Sequence, residues 1–157
     1  MIRNTKYKLG FTLIELLVTT SIILLLAGFG LASWQTFNEQ QTLDAAAQDL
    51  KNNLRQVRSW AMAVRKANCS GETAGYEVNF NNVDNGYRII EKCGSGNYVL
   101  QTFYYPAGVS DNNYNGSFVF APLTGATNLS AETTITLSLG SRKKTITIRK
   151  NGEIEIE

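Results

Sequence analysis

The chain contains no histidine among its 157 residues, and this absence removes several classes of function at once. Serine and cysteine nucleophiles that need a histidine base are excluded. Zinc sites that use histidine are excluded too, and the two cysteines do not form a Cys-x-x-Cys pair. The glycine-rich stretch 94–96 is not followed by the Lys-Ser or Lys-Thr of a phosphate-binding loop. We therefore expect no catalytic residue, no metal and no cofactor, and we predict that the protein is not an enzyme.

Charged residues are absent from Leu16 to Asn38, and no proline occurs before Pro106. These 23 residues are long enough to cross a bilayer as a helix, at about 1.5 Å per residue. Glu15 stands at the start of the run, where a carboxylate costs about 2.5–3.5 kcal/mol on membrane-insertion scales. We therefore expect a partner that compensates its charge.

Basic residues without any acid precede the apolar run, at Arg3, Lys6 and Lys8. The rest of the chain holds 12 basic and 13 acidic side chains, so no global basic field favours nucleic acid. Basic residues beside a membrane helix stay in the cytoplasm, which predicts a cytoplasmic N-terminus and an extracytoplasmic C-terminal domain. The apolar run is also longer than the usual apolar region of a secretory signal peptide, which argues against such a signal.

The segment Gly10-Phe11-Thr12-Leu13-Ile14-Glu15-Leu16-Leu17-Val18 resembles the N-terminus of type IV pilins and type II secretion pseudopilins. This resemblance implies that a prepilin peptidase cuts between Gly10 and Phe11 and methylates the new amino group. It also implies that Glu15 acts in assembly. The implied partners are prepilin peptidase, other pilin or pseudopilin subunits and the inner membrane. The protein would lie in the bacterial inner membrane first and then move into the pilus or pseudopilus. The alternative is an ordinary uncleaved single-pass anchor.

An apolar stripe follows the apolar run, with members alternately four and three residues apart. This spacing predicts an amphipathic helix that packs on a β-sheet, through Leu43, Ala47, Leu50, Leu54, Val57, Ala61 and Val64. We expect the helix to stop before Asn68 and Gly71. The predicted parts are a leader (1–10), a membrane and assembly half of the helix (11–34), an amphipathic half (35–67) and a β-sheet head (68–157). The last two would form one globular domain, from which the first half of the helix protrudes.

The C-terminal part alternates β-branched and aromatic residues with glycine and asparagine, which predicts an antiparallel sheet. The expected fold class is therefore α+β and pilin-like. Predicted strands are 76–80, 87–93, 97–105, 117–121, 134–139, 144–149 and 153–157, with 109–116 as a surface loop. A three-residue loop, 150–152, with Gly152 left-handed would pair Ile148 with Ile154 and Ile146 with Ile156.

Three C-terminal segments resemble the minor pseudopilin H group (GspH/FimT): Tyr105-Pro106-Ala107-Gly108-Val109, Ser117–Phe120 and Thr145–Gly152. The resemblance implies a minor pilin or pseudopilin in a type IV pilus or a type II secretion pseudopilus. It also implies an alternative, a DNA-binding minor pilin of an uptake (competence) pilus, since some relatives are held to capture DNA. The candidate phosphate-binding residues are Arg142, Lys143, Lys144, Arg149 and Lys150. The other explanation for them is an edge strand protected by charge.

Cys69 and Cys93 are the only cysteines. An even count in a domain expected outside the cytoplasm predicts a disulfide between them. Closing a loop of roughly 25 residues would stabilise the fold by about 3 kcal/mol in the chain-entropy model. Two free thiols are the alternative.

Overall fold

The computed structural model describes residues 10–81, 83–111 and 114–157, with the backbone alone at 29–33 and 35. Arg3, Lys6 and Lys8 of the predicted leader lie outside this range. The described residues form one helix, α1 (Leu13–Met62), and seven strands: β1 (Thr73–Asn79), β2 (Gly86–Cys93), β3 (Gly96–Tyr104), β4 (Ser117–Phe120), β5 (Thr133–Leu139), β6 (Arg142–Ile148) and β7 (Ile154–Ile156). The described residues before Glu39 belong to one unit, and those from Glu39 to Glu157 belong to another. The predicted α+β class is confirmed.

Helix α1 ends at Met62, before the predicted end at residue 67. Val64 adopts a φ of +48°, and its N–H donates to the Ala61 carbonyl oxygen at 3.0 Å. A left-handed residue just past the last turn terminates a helix, and glycine normally supplies it. The predicted helix end at residue 67 was wrong because Val64 supplies the left-handed residue, ahead of the stop signals at Asn68 and Gly71.

The apolar stripe of α1 forms one side of the core, as predicted. Six of its seven predicted members are at most 2% exposed, and only Val64, beyond the helix end, is half-buried. Ala46 joins the stripe. The strands supply the other side, through the fully buried side chains of Tyr76, Val78, Phe118, Phe120, Ile135, Leu137, Ile146 and Ile148. Burial of each large apolar side chain contributes about 1.5–3 kcal/mol, so this contact holds the unit together.

The strands form two antiparallel sheets, and the prediction of a single sheet was wrong. One sheet has the order β3-β2-β1-β4 and the other the order β5-β6-β7. The segment 126–128 occupies the outer edge of β4: Ala121 donates its N–H to the Ala126 carbonyl at 2.8 Å, and Val119 donates to Asn128 Oδ1 at 2.8 Å. These bonds use the donors that would otherwise pair with a fifth strand, so β5 begins a separate sheet.

The C-terminal hairpin has the predicted register, with Ile146 opposite Ile156 and Ile148 opposite Ile154. Gly152 has a φ of +79°, as the three-residue loop requires. A Cβ at this position would also overlap the Gly125 carbonyl oxygen. Gly152 therefore meets two demands, a left-handed backbone and a close approach to a neighbouring loop.

The Pro-x-Gly-Val segment is a turn that directs a side chain into the core. Gly108 has a φ of +84°, and the Val109 N–H donates to the Pro106 carbonyl at 3.0 Å. Val109 is 1% exposed, so the prediction of a surface loop from 109 was wrong at its first residue. Asn112 and Asn113 of that loop lie outside the described residues.

Candidate functional site

Helix α1 begins at Leu13, two residues beyond the predicted new N-terminus at Phe11, and Thr12 and Glu15 shape its first turn. The Glu15 N–H lies 3.3 Å from Thr12 Oγ1, and the Leu16 N–H donates to the Thr12 carbonyl at 3.2 Å. Thr12 therefore occupies the N-cap position and Glu15 the third helical position, the spacing of a capping box. A carboxylate in the first turn also interacts favourably with the helix dipole. Sequence reasoning missed this role of Thr12, although the Thr-x-x-Glu pattern indicates it.

The described side chains of the large apolar residues before Glu39 are exposed. Phe11 is 77% and Leu13 83% exposed, and consecutive large apolar residues point in every direction around the axis. Further exposed members are Ile14, Leu16, Leu17, Val18, Ile22, Ile23, Leu24, Leu25, Leu26, Trp34 and Phe37. An exposed apolar surface of this extent marks an interaction site for protein or lipid.

No helix in the described residues is both long and apolar enough to span a membrane.

The predicted disulfide between Cys69 and Cys93 is present, with a Cα–Cα distance of 5.6 Å. Glu91, which is fully buried, lies beside it and accepts the N–H groups of Ala67 at 2.9 Å and Asn68 at 2.7 Å. These charge-assisted bonds hold the segment that follows α1 against β2. Sequence reasoning missed Glu91, because a single acid in a strand gives no sign of burial.

Tyr76 makes a further contact with the same segment: its hydroxyl donates to the Arg65 carbonyl at 2.6 Å. Burial raises the pKa of Tyr76, and the nearby Glu91 charge raises it further, while Arg65 lowers it. The hydroxyl therefore stays protonated and keeps its role as a donor. Together with Glu91 and the disulfide, it ties residues 65–69 to the four-stranded sheet.

The five predicted basic residues do not lie on one face. Along β6, Arg142 and Lys144 share the helix-facing side with the buried Ile146, because side chains alternate along a strand. Arg142 donates to Gln40 Oε1 at 3.2 Å, and Lys144 pairs with Asp44 at 3.1 Å.

Lys143 and Arg149 point to the opposite side of β6, and Lys150 lies in the turn. Arg149 pairs with Glu153 at 3.0 Å and with Glu155 at 2.7 Å. Of the five, Lys143 and Lys150 remain as exposed cations for which the described residues provide no ion pair.

A cavity of about 320 Å³ lies between α1 and the four-stranded sheet, and Tyr87 and Tyr105 are among the residues that line it. Asn53 Nδ2 donates to the Tyr87 hydroxyl oxygen at 2.8 Å, and burial raises the pKa of Tyr87 to about 12. Burial also raises the pKa of Tyr105. Both hydroxyls stay neutral at physiological pH and are therefore unsuited to proton transfer, and within the described residues that of Tyr105 is buried without a hydrogen-bond partner.

Residues 5–31 match the family model of the prokaryotic N-terminal methylation motif. The match includes Gly10, Phe11 and Glu15 and ends within the charge-free run. The chain thus carries the N-terminal segment of a type IV pilin-like prepilin, as the resemblance implied. No curated protein and no solved structure is significantly similar to the chain.

Proposed function

We propose that the protein is a minor pilin or pseudopilin, a structural subunit that prepilin peptidase processes and that assembles through α1. The observation that carries the proposal is the methylation motif at 5–31, in which the glycine, the phenylalanine and the glutamate occur in the required order. The exposed apolar residues before Glu39 supply the surface that other subunits would cover. We propose no catalytic role.

The proposed membrane topology follows from the distribution of charge. The basic leader would remain in the cytoplasm, residues 11–34 would lie in the inner membrane before assembly, and the unit Glu39–Glu157 would lie outside the cytoplasm. The disulfide between Cys69 and Cys93 supports this placement, since such bonds persist in oxidising compartments.

Within this class, we propose membership of the GspH/FimT group. Its Pro-x-Gly-Val step corresponds to the turn that buries Val109, and its aromatic strand to Phe118 and Phe120, which are fully buried. The isoleucine hairpin corresponds to β6 and β7. These features support a minor subunit of a pilus or of a secretion pseudopilus.

Processing is the direct test. Because Gly10 precedes Phe11 after a basic leader, the mature chain should begin at N-methylated Phe11 when a prepilin peptidase is present. Intact-mass measurement and N-terminal peptide mapping of membrane-isolated protein would show this. A retained Met1, or a cut near residue 27, would contradict the assignment.

Glu15 is proposed to set the register between subunits. Cleavage creates an amino group on Phe11, and a stagger between neighbouring helices would bring the Glu15 carboxylate of one subunit to the amine of the next. Every other stagger leaves a buried charge unpaired, which is costly in a low-dielectric environment. Glu15→Ala should therefore leave cleavage at Gly10 largely intact and abolish incorporation into sheared filaments on an immunoblot.

The matched control is Thr12→Ala, which removes the N-cap and keeps the charge. Loss of a cap costs about 1 kcal/mol of helix stability. Incorporation of the Thr12 variant together with exclusion of the Glu15 variant supports the register role. Equal exclusion of both would assign the defect to the helix start, and normal incorporation of the Glu15 variant would remove the register argument.

DNA capture is the second candidate, and it would rely chiefly on Lys143 and Lys150. The other three basic residues already contact α1 or the glutamates of the hairpin. Changing both lysines to glutamine should weaken duplex binding and reduce the log–log salt slope by about one per lost phosphate contact. If the wild-type chain does not shift duplex DNA at low salt, DNA capture is refuted and only the structural role remains.

A further inference from the structure

A groove of about 540 Å³ lies between α1 and β7. Lys51, Arg55 and Arg58 line its helical wall, and residues 153–157 line the other wall. The groove contains none of the five basic residues of the predicted DNA-binding set, and it lies within the unit Glu39–Glu157. The groove therefore places the edge of β7 beside three basic side chains that the proposed function does not use.

The three cations follow one face of α1, because residues four and three apart are neighbours on a helix. Lys51 and Arg55 are about 6 Å apart along the axis at 1.5 Å per residue. The ion pairs of the described residues use Lys92, Lys144 and Arg149, so these three cations have no carboxylate within 4.0 Å there. Arg58 is held in place, since its Nη2 donates to the Asn151 carbonyl at 3.1 Å.

The opposite wall is an open strand edge. The backbone groups of 153, 155 and 157 face β6: Arg149 donates to the Glu153 carbonyl at 2.9 Å, and Glu157 donates to the Thr145 carbonyl at 2.9 Å. The N–H and C=O groups of Ile154 and Ile156 therefore point away from β6, toward the groove. In the described residues, β7 pairs with β6 alone. An edge of this kind accepts an added strand from a partner.

The charges determine which strand would fit. Ile154 is 3% exposed and packs on the core side, so Glu153, Glu155 and Glu157 point to the other face, where Arg149 pairs with the first two. A strand added beside β7 would direct alternate side chains toward Lys51, Arg55 and Arg58. Its intervening side chains would lie beside the glutamates, where a further acid is disfavoured.

We propose that this groove binds an extended segment of a partner protein as an antiparallel strand beside β7, with acidic residues at alternate positions facing Lys51, Arg55 and Arg58. Alternate residues of a strand lie about 6.8 Å apart, close to the spacing of the first two cations. A uniformly anionic ligand such as DNA fits less well, because the glutamates of the hairpin would repel it. The inference goes beyond the proposed function and does not depend on it.

The test uses the full chain in a neutral detergent and a blocked, fluorescent peptide that alternates threonine and glutamate. We expect binding by anisotropy at low ionic strength, weakened by salt. The double variant Lys51→Gln/Arg55→Gln should bind at least about fivefold more weakly. Its matched control, Lys143→Gln/Lys150→Gln, loses the same charge outside the groove and should bind like wild type. Circular dichroism melts verify that both variants are folded.

N-methylated peptides separate strand addition from simple charge attraction. In an antiparallel pair, directly opposed residues share a face, so the glutamates that face the cations also bond to Ile154 and Ile156. N-methylation of the glutamates should abolish binding, and N-methylation of the threonines should leave it. Equal binding of both peptides, or unchanged binding by the groove variant, would overturn the proposal. So would binding of duplex DNA, rather than the peptide, that depends on Lys51 and Arg55.

Discussion

Replacement of Glu91 by glutamine tests how the end of α1 is fixed to the sheet. The carboxylate is fully buried and accepts two short bonds, from the N–H groups of Ala67 and Asn68. Glutamine keeps the shape but places an amide NH₂ against one of these donors. A hydrogen bond to a charged group contributes about 1.5–3 kcal/mol, and a buried donor left unsatisfied costs a similar amount. Relief of charge burial offsets part of this, so we expect a net loss of about 2 kcal/mol.

The assay is urea unfolding and thermal melting of the oxidised full chain in a neutral detergent, both monitored by circular dichroism. A loss of about 2 kcal/mol corresponds to a melting temperature lower by about 8 °C for a unit of this size. The control is Glu72→Gln, which makes the same chemical change at an exposed position near the same segment and should stay within about 0.5 kcal/mol.

The disulfide holds the same segment, so the two effects should be coupled. In a Cys69→Ser/Cys93→Ser background, Glu91→Gln should cost at least about 1 kcal/mol less than in the oxidised wild type, because the segment 65–69 is already released. Wild-type stability of Glu91→Gln would refute the role of the buried carboxylate. Strict additivity with the cysteine changes would show that the two contacts hold different segments.

Three further predictions concern the hairpin, the first sheet and the disulfide. Gly152→Ala should lower the unfolding free energy by more than about 2 kcal/mol, since its φ is +79° and its Cβ would meet a carbonyl, whereas Gly94→Ala, in open space, should be nearly neutral. For Glu77, burial opposes the charged form, but hydrogen bonds from Lys92, Asn79 and Ser117 outweigh it and lower its pKa. The charged Glu77 side chain therefore stabilises the fold above the unfolded pKa near 4.5, and this stabilisation is lost as pH falls through the lower folded pKa. Wild type and Glu77→Gln should converge in melting temperature in acid. A constant difference in melting temperature down to about pH 2 would contradict this. Cys69→Ser should cost about 3 kcal/mol in chemical unfolding, because the bond restricts the unfolded chain, and a loss near zero would contradict this account.

Some parts of the fold follow from local pattern alone. The alternation of four and three residues along Leu43–Ala61 predicted the buried stripe, because a helix brings those positions to one face. The register of the last hairpin was predictable for the same kind of reason: a shift by one residue would have moved the isoleucines to the face of the glutamates.

The short N-terminal motif could also be identified from the sequence alone. Gly10, Phe11 and Glu15 lie within one short contiguous motif at residues 5–31, so the motif can be recognised without tertiary context. The capping role of Thr12 was available from the same residues, through the Thr-x-x-Glu spacing, and was overlooked.

What only the tertiary structure decided involves contacts between residues far apart in the chain. The burial of Glu91 depends on where the end of α1 meets β2, and the division into two sheets depends on segment 126–128 occupying the edge of β4. The same holds for charge: Arg142–Lys144 and Arg149–Lys150 are close in sequence, but strand alternation and partners on α1 and β7 separate them. Lys51, Arg55 and Arg58 form a candidate binding groove only because folding places the edge of β7 opposite them. Local pattern determines which face of an element is apolar, whereas the long-range packing of elements determines which polar groups meet.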